Sequence, residues 1–228
     1  MPSQTKENYL KAIFHLTKDQ NHLSLTDLSK QLEVSIPTVN SMVKRLQENG
    51  WVIYEKYKPL MVTPEGKKAA ALVIRKHRIA EMFLVEKMGF GWEEVHNIAE
   101  EMEHIHSEAF FDKMDDMLGH PKVDPHGSPI PDKNGKVILN HYQKLSEIPA
   151  GAVVRLCALN NDSNDFLHYL NDLKLELGSQ MKILKIQPFD QSLTVSYDNE
   201  KAVMLSKEVS KRLMVEVVSE KSMIIGKE

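Results

Sequence analysis

The 228-residue chain is 42% hydrophobic and 27% charged, with a formal net charge of −3. No apolar run approaches the roughly 18 residues that span a bilayer, and the first eight residues lack the apolar stretch of a signal peptide, so neither a membrane span nor a leader is expected. One cysteine, Cys157, excludes an intramolecular disulfide and a multi-cysteine zinc site within one chain, and a reducing cytoplasm is the expected compartment.

The net charge hides an asymmetry. Residues 1–72 carry ten Lys/Arg against seven Asp/Glu, whereas 73–228 carry nineteen against twenty-five. A mildly basic head on an acidic body suits nucleic-acid contact through the head, although a solvated surface reads the same way.

Taken in chain order, 5–18 reads as an amphipathic helix with Tyr9, Leu10, Ile13, Phe14 and Leu16 on its apolar side. A short helix over 27–33 follows Leu25-Thr26-Asp27. Glu33-Val34-Ser35 forms a turn, and a helix over about 36–49 starts with Pro37, packs Val39, Met42, Val43 and Leu46, and stops at Gly50. Trp51–Glu55 and Leu60–Thr63 alternate as strands around a basic turn, Lys56-Tyr57-Lys58-Pro59. Helix, turn, helix and hairpin make a winged helix-turn-helix.

Such a motif reads bases with the start of its second helix. Ser35, Pro37, Thr38, Asn40 and Ser41 stand there. Ser, Thr and Asn can hydrogen-bond base edges, and Pro or the Thr methyl can touch a thymine methyl. Lys44, Arg45, Lys56, Tyr57 and Lys58 sit where phosphates would pass. The same fold also serves as a protein-interaction module, in which the Ser and Thr residues only cap.

A helix from Pro64 toward Met88 and another over 93–117 come next. Six of the ten histidines fall between His77 and His126. At about 100° per residue, His96, Glu100, Glu103 and His104 share one face of the 93–117 helix, and His77 and Glu81 share one face of the helix before it. Imidazoles interleaved with carboxylates point to a divalent metal, while the acidity of this stretch is also that of a solvated face. Glu-x-x-His spacing at Glu101–His104 and Glu103–His106 resembles a di-iron carboxylate bundle. The required second pair is missing, as are His-Glu-x-x-His and any nucleophile motif, so an enzyme is not expected.

Pro and Gly crowd 119–143, an ordered loop or a linker. Beyond 144, short strands at 153–156, 180–186, 193–196 and 214–218, with a helix over 165–173, suggest a small SH3-like barrel. The fold class is thus mainly α with β: a winged helix-turn-helix domain (1–72), a helical domain (73–143) and an SH3-like domain (144–228).

Seven stretches in order carry a resemblance: Lys6-Glu7-Asn8-Tyr9-Leu10, Ser35–Val39, Tyr54–Tyr57, Leu60–Gly66, Arg75–Glu81, Glu100-x-x-Glu103-His104 and Pro125–Pro131. The chain resembles the metal-dependent repressors of the diphtheria toxin repressor and manganese transport regulator family over nearly its whole length. The resemblance implies a homodimer that binds operator DNA when metal is replete, with two metal sites per subunit. It places a regulatory site on Asn8, His77, Glu100, Glu103 and His104. It places a second on Glu81 and His96, with Asp162 and Asp165 from the third domain and Asp124 and His126 from the Pro-His-Gly loop. Asn8 replaces the Met or Asp of relatives, Glu100 the Cys of iron-sensing members, and Asp124 the Cys of some manganese sensors. Thiolate-free oxygen and imidazole sites favour Mn²⁺, then Fe²⁺, on hardness.

Overall fold

The structure, a computed structural model, describes residues 3–17, 22–56, 58–160, 163–197 and 202–218. The chain forms two units: Met1–Phe90, Val95–Asp124 and Pro129–Ile138 in the first, Gly91–Glu94, Pro125–Ser128 and Leu139–Glu228 in the second.

In the first unit, α1 (Gln4–Leu16) buries Tyr9, Leu10, Ala12 and Ile13. After β1 (His22–Leu23), α2 (Leu25–Gln31) opens on a capping box. Ser24 Oγ accepts from Asp27 N at 3.0 Å, and Asp27 Oδ2 accepts from Ser24 N at 3.1 Å. The next helix, α3 (Ile36–Glu48), is capped by Ser35 and carries Pro37 in its first turn. With β2 (Val52–Ile53) and β3 (Leu60–Val62), β1 completes an antiparallel sheet of order β1-β3-β2. One core joins Tyr9, Ala12 and Ile13 of α1, Val39, Val43 and Leu46 of α3, and Val52, Leu60 and Val62 of the hairpin. This is the expected winged helix-turn-helix.

The long helix α4 (Pro64–Met88) starts against Trp51. A Cβ at Gly66 would stand 2.0 Å from the Trp51 carbonyl oxygen, so only glycine lets the helix approach. The boundary expected between 72 and 73 falls inside α4. Its first half packs Ala70 and Val73 on Leu10 of α1. Its second half packs Ile79, Ala80 and Leu84 on α5 (Val95–Met102) and α6 (Glu108–Met117).

The single helix expected over 93–117 is corrected to these two. Glu103 N still bonds to Ala99 O at 2.9 Å, but Ile105 N turns back to Met102 O at 2.9 Å. Ser107 then caps α6, its side chain accepting from Phe110 N. Helical spacing of His and Glu runs across the break, and Ser107 is the cap that marks it. Glu103 and His104 therefore occupy a turn rather than the α5 face.

Within this unit the Pro/Gly-rich segment is an ordered loop. Val123 bridges Pro129, Arg75 Nη1 donates to Pro131 O at 2.7 Å, and Arg78 Nη1 donates to Pro129 O.

The second unit is the small β domain. Its strands are β4 (Gln143–Lys144), β5 (Val153–Leu159), β6 (Gln180–Ile186), β7 (Leu193–Tyr197), β8 (Val203–Leu205) and β9 (Leu213–Val217), with α7 (Asn164–Asp172) after β5 and the short α8 (Lys207–Ser210) before β9. They form an antiparallel sheet of order β4-β9-β5-β6-β7-β8, with register shifts between Leu156 and Ala158 and between Ile183 and Lys185. Such irregularities bend strands and let the sheet curl. Phe166, Leu167 and Leu170 of α7 join Val154, Leu156, Met181, Ile183, Val195 and Val215 in its core. In the same unit, Gly127 (φ +85°) lies against β5, where a Cβ would stand 2.3 Å from the Cys157 carbonyl oxygen. The β4, β8 and α8 elements were not anticipated; each is only two to four residues long.

Candidate metal centre and nucleic-acid interface

The outer face of α3 carries the residues expected to read DNA. Val39, Val43 and Leu46 are buried, which leaves Pro37, Thr38, Ser41, Lys44 and Arg45 exposed and Asn40 half-buried on the opposite side. Ser35 is exposed but committed to its helix, with Oγ 2.9 Å from Thr38 Oγ1 and accepting from Thr38 N at 3.4 Å. Between α3 and the hairpin lies a cleft of about 880 Å³ lined by Asn40, Lys44, Gln47, Glu48, Tyr54 and Lys56. Its lining includes Lys44 and Lys56, two of the residues expected to meet phosphates. Tyr57 lies outside the described residues.

The metal candidates meet where α1, α4, α5 and the turn after α5 converge. His77 on α4 is central. Its Nδ1 lies 2.6 Å from Glu103 Oε2 and its Nε2 lies 3.0 Å from Glu81 Oε1. Burial alone would depress the His77 pKa, but the hydrogen bonds to Glu103 and Glu81 outweigh it and push the pKa up to about 9. His96 on α5 stands 3.3 Å from Glu81 Oε1 through Nδ1 and 3.8 Å from Glu100 Oε2 through Nε2. His77, His96 and Glu100 offer ligand atoms within 4.8 Å of one another. Burial would raise the Glu100 pKa, but Lys11 and the two imidazoles hold it below the usual carboxylate range.

Four buried side-chain polar atoms have no hydrogen-bond partner among the described residues: Asn8 Oδ1, Tyr9 OH, Glu103 Oε1 and His104 Nε2. Three belong to residues expected in the regulatory site, and two of these, His104 Nε2 and Glu103 Oε1, lie 3.9 Å apart. A buried polar atom without a partner costs roughly 1–3 kcal/mol, so these atoms need an explanation. A carboxylate oxygen, an amide oxygen and an imidazole nitrogen are the donor types a hard dication takes, so these residues fit one.

Sequence reasoning missed two neighbours on α1. Glu7, 1% exposed, holds His104 Nδ1 at 2.7 Å through Oε2 and Lys76 Nζ at 3.3 Å through Oε1. A carboxylate on Nδ1 keeps the proton there and turns the Nε2 lone pair toward Glu103. Lys11 places Nζ 2.9 Å from Glu103 Oε2, 3.4 Å from His77 Nδ1 and in contact with Glu100 Oε2. Glu7 and Lys11 are i, i+4 on one helix, a spacing that reads as an ordinary surface pair. Only their burial against other elements distinguishes them.

Of the remaining expected ligands, Asp124 offers a carboxylate oxygen within 4.8 Å of one from Glu81 in the first unit. Asp124, in the first unit, pairs with Arg78 Nε at 3.2 Å. His126 belongs to the second unit, where Nε2 bonds Trp92 O at 2.9 Å and the ring stacks on Trp92. Asp165 is exposed in the first turn of α7. Asp162 lies outside the described residues. No helix among the described residues is long and apolar enough to cross a membrane.

Comparison with known proteins agrees with this layout. Residues 1–60 match the iron dependent repressor N-terminal DNA binding domain, 63–132 the iron dependent repressor metal binding and dimerisation domain, and 143–217 the FeoA domain. The iron-dependent repressor IdeR of Mycobacterium leprae is 28% identical over 89% of this chain and 97% of its own length. IdeR of Mycobacterium tuberculosis strain H37Rv is 34% identical over 66% of this chain and 68% of its own. Among solved structures, a manganese-dependent transcriptional repressor in complex with manganese superposes with a TM-score of 0.81 at 28% identity, covering 93% of this chain and all of that one. ScaR with bound Cd²⁺ gives 0.76 at 30% identity, covering 93% and 99%. The chain belongs to the family of metal-dependent transcriptional repressors that includes IdeR, the diphtheria toxin repressor and MntR.

Proposed function

We propose that this chain represses transcription as a homodimer on double-stranded operator DNA when loaded with Mn²⁺ or Fe²⁺, and that Asn8, His77, Glu100, Glu103 and His104 hold the ion. The observation that carries this reading is the trio of unpartnered buried donors, Asn8 Oδ1, Glu103 Oε1 and His104 Nε2. The donor set contains no sulfur, which favours Mn²⁺ or Fe²⁺ over softer ions. Glu81 and His96, 3.3 Å apart, are proposed for a second ion.

A bound dication supplies the positive charge that lets these carboxylates stay close. The protein's own part is to link that charge to α3. Tyr9, Ala12 and Ile13 of α1 share a core with Val39, Val43 and Leu46 of the recognition helix. On the same α1, Glu7 and Lys11 reach the His104 and Glu103 cluster, and Asn8 lies between them in sequence. Drawing α1 toward α5 therefore moves one wall of the α3 core, which sets the aim of both recognition helices in a dimer. Large exposed apolar side chains at Met88, Phe110 and Met117 support a self-association face on the helical region.

Replacing Glu103→Gln together with His104→Ala tests the site. Gel shift with Mn²⁺ is expected to show loss of metal-stimulated operator binding by about 100-fold or more, with the circular dichroism spectrum unchanged. Undiminished stimulation would refute the assignment.

A further inference from the structure

We propose that Lys11 is a tethered internal cation that occupies the ligand carboxylates in the metal-free protein and sets the concentration at which metal binds. The inference rests on the site reading above and concerns a residue that reading names as a contact from α1 and not as a ligand.

Three observations carry it. First, the Lys11 ammonium reaches three candidate ligands at once: Glu103 Oε2 at 2.9 Å, Glu100 Oε2 in contact, and His77 Nδ1 at 3.4 Å. Those residues come from α4, α5 and the turn after α5, whereas Lys11 comes from α1, so the ammonium ties α1 to the other three segments. Second, its side chain is only 12% exposed, and the Glu103 side chain is fully buried. Solvent screens such a contact weakly, and an ammonium bonded to carboxylates there is strongly held. Third, the ammonium engages Glu103 through Oε2 only, while Oε1 and His104 Nε2 stay unpartnered. A monovalent cation on one side chain satisfies part of the cluster and leaves the rest open. An ammonium has donors only and cannot serve an imidazole lone pair and a carboxylate in the manner of a coordinating ion.

The consequence is a competition. Glu103 Oε1 is open, but the ammonium sits in contact with Glu100 Oε2 and 3.4 Å from His77 Nδ1, so an ion that gathers Glu100 and His77 with Glu103 must displace it. Part of the metal's interaction energy is spent on that release, and the threshold rises. Without the charge, the metal-free protein would leave Glu81, Glu100 and Glu103 with fewer compensating cations, and its folded state would weaken.

Lys11→Met removes the charge and keeps the apolar stem; Lys11→Gln keeps a hydrogen-bond donor without the charge. The measurements are Mn²⁺ affinity, from electron paramagnetic resonance of free Mn²⁺, and the melting temperature of the EDTA-treated and Mn²⁺-loaded proteins. Both variants are expected to bind Mn²⁺ about tenfold more tightly than wild type. Their metal-free forms should melt at lower temperature, and saturating Mn²⁺ should erase most of that difference. Should Lys11→Met fail to fold without metal, Lys11→Gln and the loaded forms still give the affinities. Wild-type binding that both variants leave unchanged or weaken would overturn the Lys11 inference alone. No Mn²⁺ binding by wild type or variants would overturn the site reading and this inference with it.

Discussion

The recognition helix and the histidine–carboxylate cluster lie in one unit, yet they are built in opposite ways. On α3 the side chains proposed to read DNA lie on the face away from the core, and the helix beneath them is finished: capped at Ser35 and packed through Val39, Val43 and Leu46. In the cluster His77, Glu81 and Glu103 are buried and hold one another. His77 is shared between Glu81 and Glu103, His104 is pinned by Glu7, and Lys11 fills the gap between carboxylates. A surface that reads DNA needs only to be aimed. Under the proposed function, a centre that senses an ion must be incomplete without it, and the unpartnered atoms of Asn8, Glu103 and His104 fit that requirement.

The sharpest way to break the contrast is at Glu7. If it orients His104, then Glu7→Ala should weaken Mn²⁺ binding by about 10- to 100-fold, and Glu7→Gln, which keeps an acceptor for Nδ1–H, should recover part of that loss. Equal affinities for wild type and both variants, measured by Mn²⁺ titration, would reduce Glu7 to a buried counter-ion.

A second test uses the buried Asp115, whose carboxylate is paired with Arg75 and His120. Arg75 Nη2 lies 2.9 Å and His120 Nδ1 3.0 Å from Asp115 Oδ2. Burial would raise the Asp115 pKa, but the His120 hydrogen bond and the Arg75 guanidinium hold it below the ordinary carboxylate range. A depressed folded pKa gives stability that is present above the unfolded value and lost as pH falls through the folded one. Asp115→Asn should thus cost about 2 kcal/mol at neutral pH, a gap that closes on acidification, with Mn²⁺ affinity untouched. Urea titrations across pH check this, and a pH-independent gap would contradict it.

The smallest effects belong to α3. Lys44→Ala should weaken binding to every DNA sequence and lower the salt slope by about one, whereas Ser41→Ala should alter sequence preference. Binding assays over a range of KCl concentrations distinguish the two, and a Lys44 effect confined to preference would reverse the assignments.

How much of this was legible in the sequence differs between the same two regions. Local signals wrote α3: Ser35, Pro37, the Val39/Val43/Leu46 period and the following Gly50. The pairing of His77 with Glu81 followed from i, i+4 spacing along an unbroken helix, and their atoms are 3.0 Å apart. By contrast, periodicity alone carried a helix through the break between α5 and α6, where Ser107 restarts the chain. Glu7 and Lys11 were invisible as site residues because their partners are 66 to 97 positions away. No local pattern encodes such contacts; the packing of α1 on α4 creates them.

Under the proposed function, ion binding and DNA binding are one equilibrium. The most direct measurement is operator affinity at saturating free Mn²⁺ and in EDTA, paired with Mn²⁺ affinity with and without operator. The expected result is operator binding tightened by about 10- to 100-fold, with the same factor appearing in the Mn²⁺ affinity. Equal operator affinity in Mn²⁺ and in EDTA would contradict it.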